Sequence, residues 1–132
     1  KTLIGESLGG LLATEILLKK PGLFNKYIII SPSLWWDDGS LLRLSTDTLR
    51  ARAGQKTDVY IGVGKEGLAP SDTAHVQEVD ANLLADKLKN AKTANIGVFF
   101  DYLPEENHAT IGHQAILNAL KIFSRDPAVD KK

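Results

Sequence analysis

What most constrains the fold of this 132-residue chain is a repeated pattern: a short apolar run, a tight turn, then a stretch of helical periodicity, four times over. Thr2–Ile4 reads as the end of a strand. Tyr27-Ile28-Ile29-Ile30 is an unbroken apolar run, the pattern of a parallel strand buried on both faces. Asp58–Val63 and Ile96–Phe100 supply the third and fourth strands. Between them the spacing predicts helices over Leu11–Lys20, about Ser40–Ala53, Val76–Lys89 and Ile111–Phe123. Lys19 and Lys20 suit the first helix's C-terminal dipole end, and Pro21-Gly22 stops it. Val76, Val79, Leu83, Leu84 and Leu88 form the expected buried stripe of the third helix. Ile111, Ala115, Ile116, Ala119, Leu120 and Phe123 form that of the last.

Strands that alternate with helices through short loops make right-handed crossovers. The expected fold class is therefore α/β: a three-layer α/β/α arrangement with a mainly parallel sheet. Residues 1–125 are expected to form one domain and 126–132 a flexible polar tail. The chain opens without Met on what reads as a strand end, so further residues are expected before it.

Composition narrows the partners. Sixteen basic residues balance sixteen acidic ones, which argues against a nucleic acid or an anionic membrane surface. No apolar run approaches the roughly 20 residues that span a bilayer. The absence of cysteine removes disulfides, a thiol nucleophile and thiolate metal sites, and it suits cytoplasm and periplasm equally.

In a parallel α/β sheet the chemistry collects at the carboxyl ends of the strands. After the first strand stands Gly5-Glu6-Ser7-Leu8-Gly9, a G-x-S-x-G turn between strand and helix. Such a turn lifts a serine hydroxyl above the sheet, and its glycines are expected to remove Cβ atoms that would clash. Ser7 is the expected nucleophile, with the Leu8 N–H as an oxyanion donor. The competing reading is a glycine-rich turn with Ser7 as a helix cap. A phosphate loop is not supported, because neither G-x-G-x-x-G nor a G-K-[ST] ending occurs.

A serine nucleophile needs a base, expected on the loop after the last strand. His108 lies there, in Leu103–Thr110. His75 opens a helix away from any strand end, and His113 lies inside the last helix. The orienting acid is expected on the loop after the third strand. Glu66 is nearest the strand's end and is the first choice, Asp72 the second, and Asp37 or Asp38 the third. A solvated role for Glu66, or a Ser–His dyad with no strong acid, stays open. No H-E-x-x-H or clustered ligand set points to a metal, and no cofactor is expected.

Taken together, Leu3-Ile4-Gly5-Glu6-Ser7-Leu8-Gly9-Gly10, Phe24-Asn25-Lys26-Tyr27, Ile30-Ser31-Pro32-Ser33-Leu34-Trp35-Trp36-Asp37 and Glu106-Asn107-His108 resemble the α/β-hydrolases of the esterase D-like and siderophore-esterase group. The resemblance runs over nearly the whole chain and matches the C-terminal half of that fold. It implies hydrolysis of a small-molecule carboxylic ester through an acyl-enzyme on Ser7, with His108 as base and then acid and Glu66 as the acid of a catalytic triad. Trp35 and Trp36 would line a substrate pocket, at least one of them otherwise serving to cap the core.

Two departures stand out. Glu6 occupies a position that is often His in relatives. Relatives also carry several strands before the nucleophile, including the loop that donates the second oxyanion N–H. Losing one such donor costs about 10²–10³ in rate. The first strand would then be an exposed sheet edge, where a homodimer is expected to form. A non-catalytic α/β module acting in protein interaction is the competing expectation.

Overall fold

The computed structural model describes residues 1–49, 55–91 and 95–125. Four parallel strands, β1 (Thr2–Glu6), β2 (Lys26–Ile30), β3 (Thr57–Gly64) and β4 (Ile96–Leu103), form one sheet in the order β1-β2-β3-β4. Three α-helices, α1 (Leu8–Lys19), α2 (Gln77–Lys89) and α3 (Ile111–Phe123), cover its faces.

The period-2 alternation of the strands sorts the core into two layers. Tyr27, Ile29, Val59, Ile61 and Val63 point to one face, where they pack on Ala13 and Leu17 of α1 and Ala81, Leu84, Ala85 and Leu88 of α2. Ile28, Ile30 and Tyr60 point to the other, under Ile111, Ala115 and Ala119 of α3. Every residue of Tyr27–Ile30 is fully buried, as a central parallel strand with helices on both faces requires. The register pairs Glu6 with Ile30 and Ile30 with Gly62, so the carboxyl ends of β1, β2 and β3 come together. β1 pairs with β2 alone, and its outer edge is open among the described residues.

The strands and three helices lie where the periodicity predicts, with two kinds of correction. The helix expected over Ser40–Ala53 is absent from its described part. Two 3-10 segments, Trp36–Arg43 and Asp47–Leu49, take its place, and residues 50–53 lie outside the described residues. Asp37, Asp38 and Gly39 hold φ of 53°, 50° and 73°, which breaks the helical path at its start. The segment's leucines are still used: Leu41 and Leu49 are buried, and Leu42 and Leu44 pack against the core from short turns.

The second correction concerns the stripes. Val79 and Leu83 of α2 are about half exposed, at 54% and 49%, and Gln77, Asp80, Ala81 and Ala85 take the buried face with Leu84 and Leu88. On α3, Leu120 likewise turns outward. The tail, 126–132, lies outside the described residues. No helix among those described is long and apolar enough to cross a membrane.

Candidate active site

β1 ends at Glu6 and α1 begins at Leu8, so Ser7 alone reverses the chain. Its φ of 58° and ψ of −118° are costly for a residue with a Cβ, and such strain persists only where surrounding bonds over-determine it. Three do. The Ser7 N–H donates to the Ile30 carbonyl, and the Ser7 carbonyl accepts from the N–H groups of Leu11 and Ser33, each at 3.0 Å. The Ser7 hydroxyl makes no capping bond to α1. It lies 2.9 Å from His108 Nε2 instead.

Two of the turn's glycines are required by close approach. A Cβ on Gly5 would sit 2.2 Å from the Gly9 carbonyl oxygen, and one on Gly10 would sit 3.0 Å from Pro32 Cα. Gly9 corrects the expectation: a Cβ there would meet nothing within 4 Å. Leu8 opens α1, where a backbone N–H has no intrahelical acceptor and adjoins the positive end of the helix dipole.

His108 lies on the short loop between β4 and α3. Asn107 shapes that loop, its side-chain oxygen accepting from the N–H groups of Ala109 at 2.8 Å and Thr110 at 3.1 Å. The Glu106 carbonyl accepts from the Lys65 N–H at 2.8 Å, which ties this loop to the end of β3.

Two residues past β3, the Glu66 side chain is fully buried. Its Oε1 lies 2.5 Å from His108 Nδ1. Its Oε2 accepts from the Ser31 hydroxyl at 2.5 Å and the Gly64 N–H at 2.8 Å. Behind it, Glu78 of α2 accepts from the N–H groups of Glu66 at 2.9 Å and Gly67 at 2.7 Å, fixing the loop that carries the acid.

With a hydrogen on Nδ1 donated to the carboxylate, the Nε2 lone pair would face the Ser7 hydroxyl as an acceptor. Such a Ser–His–acid chain can generate a nucleophilic oxygen and then return the proton to a leaving group.

The other candidate acids go elsewhere. Asp38 bonds His75 Nε2 at 3.0 Å and the Thr73 hydroxyl at 2.5 Å. Asp37 and Asp72 line a cavity of about 830 Å³ together with Trp35, Trp36, Leu11 and Pro70. The walls of that cavity do not include Ser7 or His108; its nearest approach along α1 is Leu11, one turn beyond the serine. Trp35 is partly buried and Trp36 is 57% exposed, next to the fully buried Leu34. His113 lines a smaller cavity of about 230 Å³ with Glu6, Ala109, Gly112 and Ile116.

Three contributors escape a sequence reading. Ser31 holds the acid, and Ser33 lies with its hydroxyl 3.3 Å from that of Ser7. Both belong to Ser31-Pro32-Ser33, where a strand-end cluster of hydroxyls was the available signal. His75 sits between two carboxylates, Asp38 and Asp80 at 3.0 Å each. The hydrogen bond to Asp38, with the further bond to Asp80, raises its pKa above the ordinary imidazole value.

A parallel sheet with a strained serine at a strand-to-helix turn, and a histidine after the last strand, is the arrangement of an α/β-hydrolase. The relatives agree. The chain is 34% identical over 70 residues to the ferri-bacillibactin esterase BesA of Bacillus subtilis, covering 53% of this chain and 20% of that protein. It is 48% identical over 40 residues to the siderophore enterobactin esterase of Emericella nidulans, covering 30% of this chain and 13% of that protein. The crystal structure of an IroE-like serine hydrolase from Shewanella oneidensis superposes with a TM-score of 0.73 at 27% identity, over 95% of this chain and 41% of that one. No family model matches. The chain is thus a homologue of siderophore esterases and IroE-like serine hydrolases and spans less than half the length of the solved hydrolase.

Proposed function

We propose that this protein is a serine hydrolase that cleaves carboxylic esters through an acyl-enzyme on Ser7. The observation that carries the proposal is the unbroken hydrogen-bonded chain from Ser7 Oγ through His108 to the buried Glu66. His108 Nε2 takes the hydroxyl proton as Ser7 Oγ attacks the ester carbonyl, then gives it to the departing alcohol. The Leu8 N–H at the start of α1 stabilises the oxyanion. Glu66 holds the imidazole in the required tautomer and stabilises the imidazolium. The mechanism uses no metal or cofactor.

Relatives that act on ferri-bacillibactin and enterobactin support a siderophore-type ester as the substrate. Trp35 and Trp36 are the proposed substrate contacts, since their cavity opens one helical turn from Ser7. Their rings lie 5.9 Å apart and tilted by 60°, a broad apolar wall for an aromatic or acyl group.

Hydrolysis of p-nitrophenyl acetate and butyrate, against a Ser7→Ala control, tests the proposal. Turnover that disappears in the control, with fluorophosphonate labelling of Ser7, is the expected result. Neither turnover nor labelling above that control would assign the chain instead to a non-catalytic α/β module.

A further inference from the structure

We infer that Ser33 is a further catalytic residue, whose hydroxyl donates a hydrogen bond to Ser7 Oγ and acts chiefly in hydrolysing the acyl-enzyme. The inference rests on the proposed role of Ser7 as nucleophile.

The direction of the bond follows from counting protons. Glu66 is an acceptor, so His108 Nδ1 carries a hydrogen and Nε2 presents its lone pair. The one hydroxyl hydrogen of Ser7 is then committed to Nε2, 2.9 Å away. The contact between Ser7 Oγ and Ser33 Oγ at 3.3 Å therefore has Ser33 as donor. Ser33 is only 2% exposed, so water does not compete freely for its hydroxyl. Its place is set by the backbone as well, because the Ser33 N–H donates to the Ser7 carbonyl at 3.0 Å. The preceding turn is rigid: Ser31 holds φ of 43°, its N–H donates to the Gly62 carbonyl at 2.8 Å, and Pro32 packs on Gly10.

A donor aimed at Oγ affects the two half-reactions unequally. In the free enzyme it already bonds a good acceptor, the serine hydroxyl oxygen, so it gains little as Oγ attacks. In the acyl-enzyme Oγ is the alkoxy oxygen of an ester, a poor acceptor. Water then attacks the acyl carbon and passes a proton to His108 Nε2. As the tetrahedral intermediate collapses, the C–Oγ bond breaks, its electron pair stays on Oγ, and His108 returns the proton to it. The products are a carboxylic acid and free Ser7. Negative charge grows on Oγ throughout that cleavage, where the Ser33 hydrogen bond is strongest. Only interactions that strengthen towards the transition state speed a step, so the benefit falls on deacylation.

The test uses this chain with p-nitrophenyl acetate. The burst gives the acetylation rate, and decay of the acetyl-enzyme after removal of excess ester gives the deacetylation rate. Ser33→Ala is expected to slow decay about tenfold or more and to change the burst rate by no more than about twofold, as loss of a hydrogen bond to a charge-bearing oxygen would. Acetyl-Ser7 should accumulate by mass spectrometry, with kcat and KM falling together. Ser33→Thr should restore the decay rate. If both rates fall alike, or neither changes, the inference is overturned. Should Ser33→Ala fail to fold by circular dichroism, the near-isosteric pair Ser33→Thr and Ser33→Val makes the same comparison. If the wild-type chain is never acetylated at Ser7, the nucleophile assignment itself fails; unchanged variants of an acetylated wild type remove only the role of Ser33.

Discussion

Gly64 and Glu106 touch backbone to backbone: a Cβ on Gly64 would lie 2.5 Å from the Glu106 carbonyl oxygen. That contact brings the acid-bearing loop after β3 against the histidine-bearing loop after β4. The Lys65 N–H bond to Glu106 closes it on one side, and the Gly64 N–H bond to Glu66 on the other.

Gly64→Ala is therefore expected to damage the site more than the fold. The methyl group must push the Glu106-Asn107-His108 loop away from β3, and with it the imidazole ring from Glu66. Displacement by about 1 Å at a reacting group can cost on the order of 10²-fold in rate. The stability loss should be about 1–3 kcal/mol, as for other overpacked positions. Ester kinetics and a thermal melt on the same preparation check both parts. A variant that melts early yet keeps wild-type turnover would dissociate this contact from the site.

Glu66→Gln removes the charge and keeps the shape. The amide can still accept the Ser31 and Gly64 hydrogen bonds on one atom. Its other end, if it presents NH₂ to His108 Nδ1, favours the tautomer with the hydrogen on Nε2, where it cannot accept the Ser7 proton. Turnover is expected to fall by about 10³–10⁴, the scale of a wrong-tautomer defect in a serine triad. A loss below about tenfold would favour the Ser–His dyad over the acid-assisted mechanism.

The parts of this architecture legible from sequence were those fixed by local periodicity or by a turn's steric needs. Tyr27–Ile30 reads as a doubly covered strand because burial on both faces leaves no polar position, and α3 starts and stops at Ile111 and Phe123 as its spacing predicts. Ser7 and His108 could be nominated from their places after strands. The acid stayed open because Glu66 and Asp72 share one loop, and only the turn of that loop decides which carboxylate returns to the imidazole. The helix expected over Ser40–Ala53 gives way in its described part for a similar reason: its leucines satisfy a helical stripe, but the left-handed run at Asp37, Asp38 and Gly39 redirects the chain into short turns. Ser33 and His75 were out of reach because their partners, Ser7 and the pair Asp38 and Asp80, are distant or ambiguous in sequence.

The glycines of the turn around Ser7 should respond in opposite ways. Gly9 lies in α1 with open space where a Cβ would be, so Gly9→Ala is expected to stabilise the chain by about 0.5–1 kcal/mol through helix propensity and unfolded-state entropy. Gly5→Ala would force a methyl to 2.2 Å from the Gly9 carbonyl oxygen and should break the turn. Chemical denaturation of the two variants beside the wild type separates these cases. Equal destabilisation would show that Gly9 meets a neighbour that the described residues do not supply.

His75 should make stability depend on pH in a defined window. Its ring is 16% exposed and bridges Asp38, on the segment after Trp35-Trp36, to Asp80 of α2. Protonated, it donates from both nitrogens; neutral, it has one N–H for two carboxylates. The Asp38 hydrogen bond, then that of Asp80, raises its pKa above 6.5. A raised folded-state pKa means that the clamp contributes fully below about pH 6.5 and is lost as pH rises through the higher folded value. Asp38 sets the other limit. The Thr73 hydroxyl, then His75, lowers its pKa below 3.8, so its contribution is present above that value and lost as pH falls through the lowered one. Thermal melts of wild type and His75→Gln at about pH 5.5 and about pH 9 test the sign. The wild type should melt higher at the lower pH, and the two curves should converge at the higher. A gap that is the same at both would mean that His75 packs the loop without acting as a charged bridge.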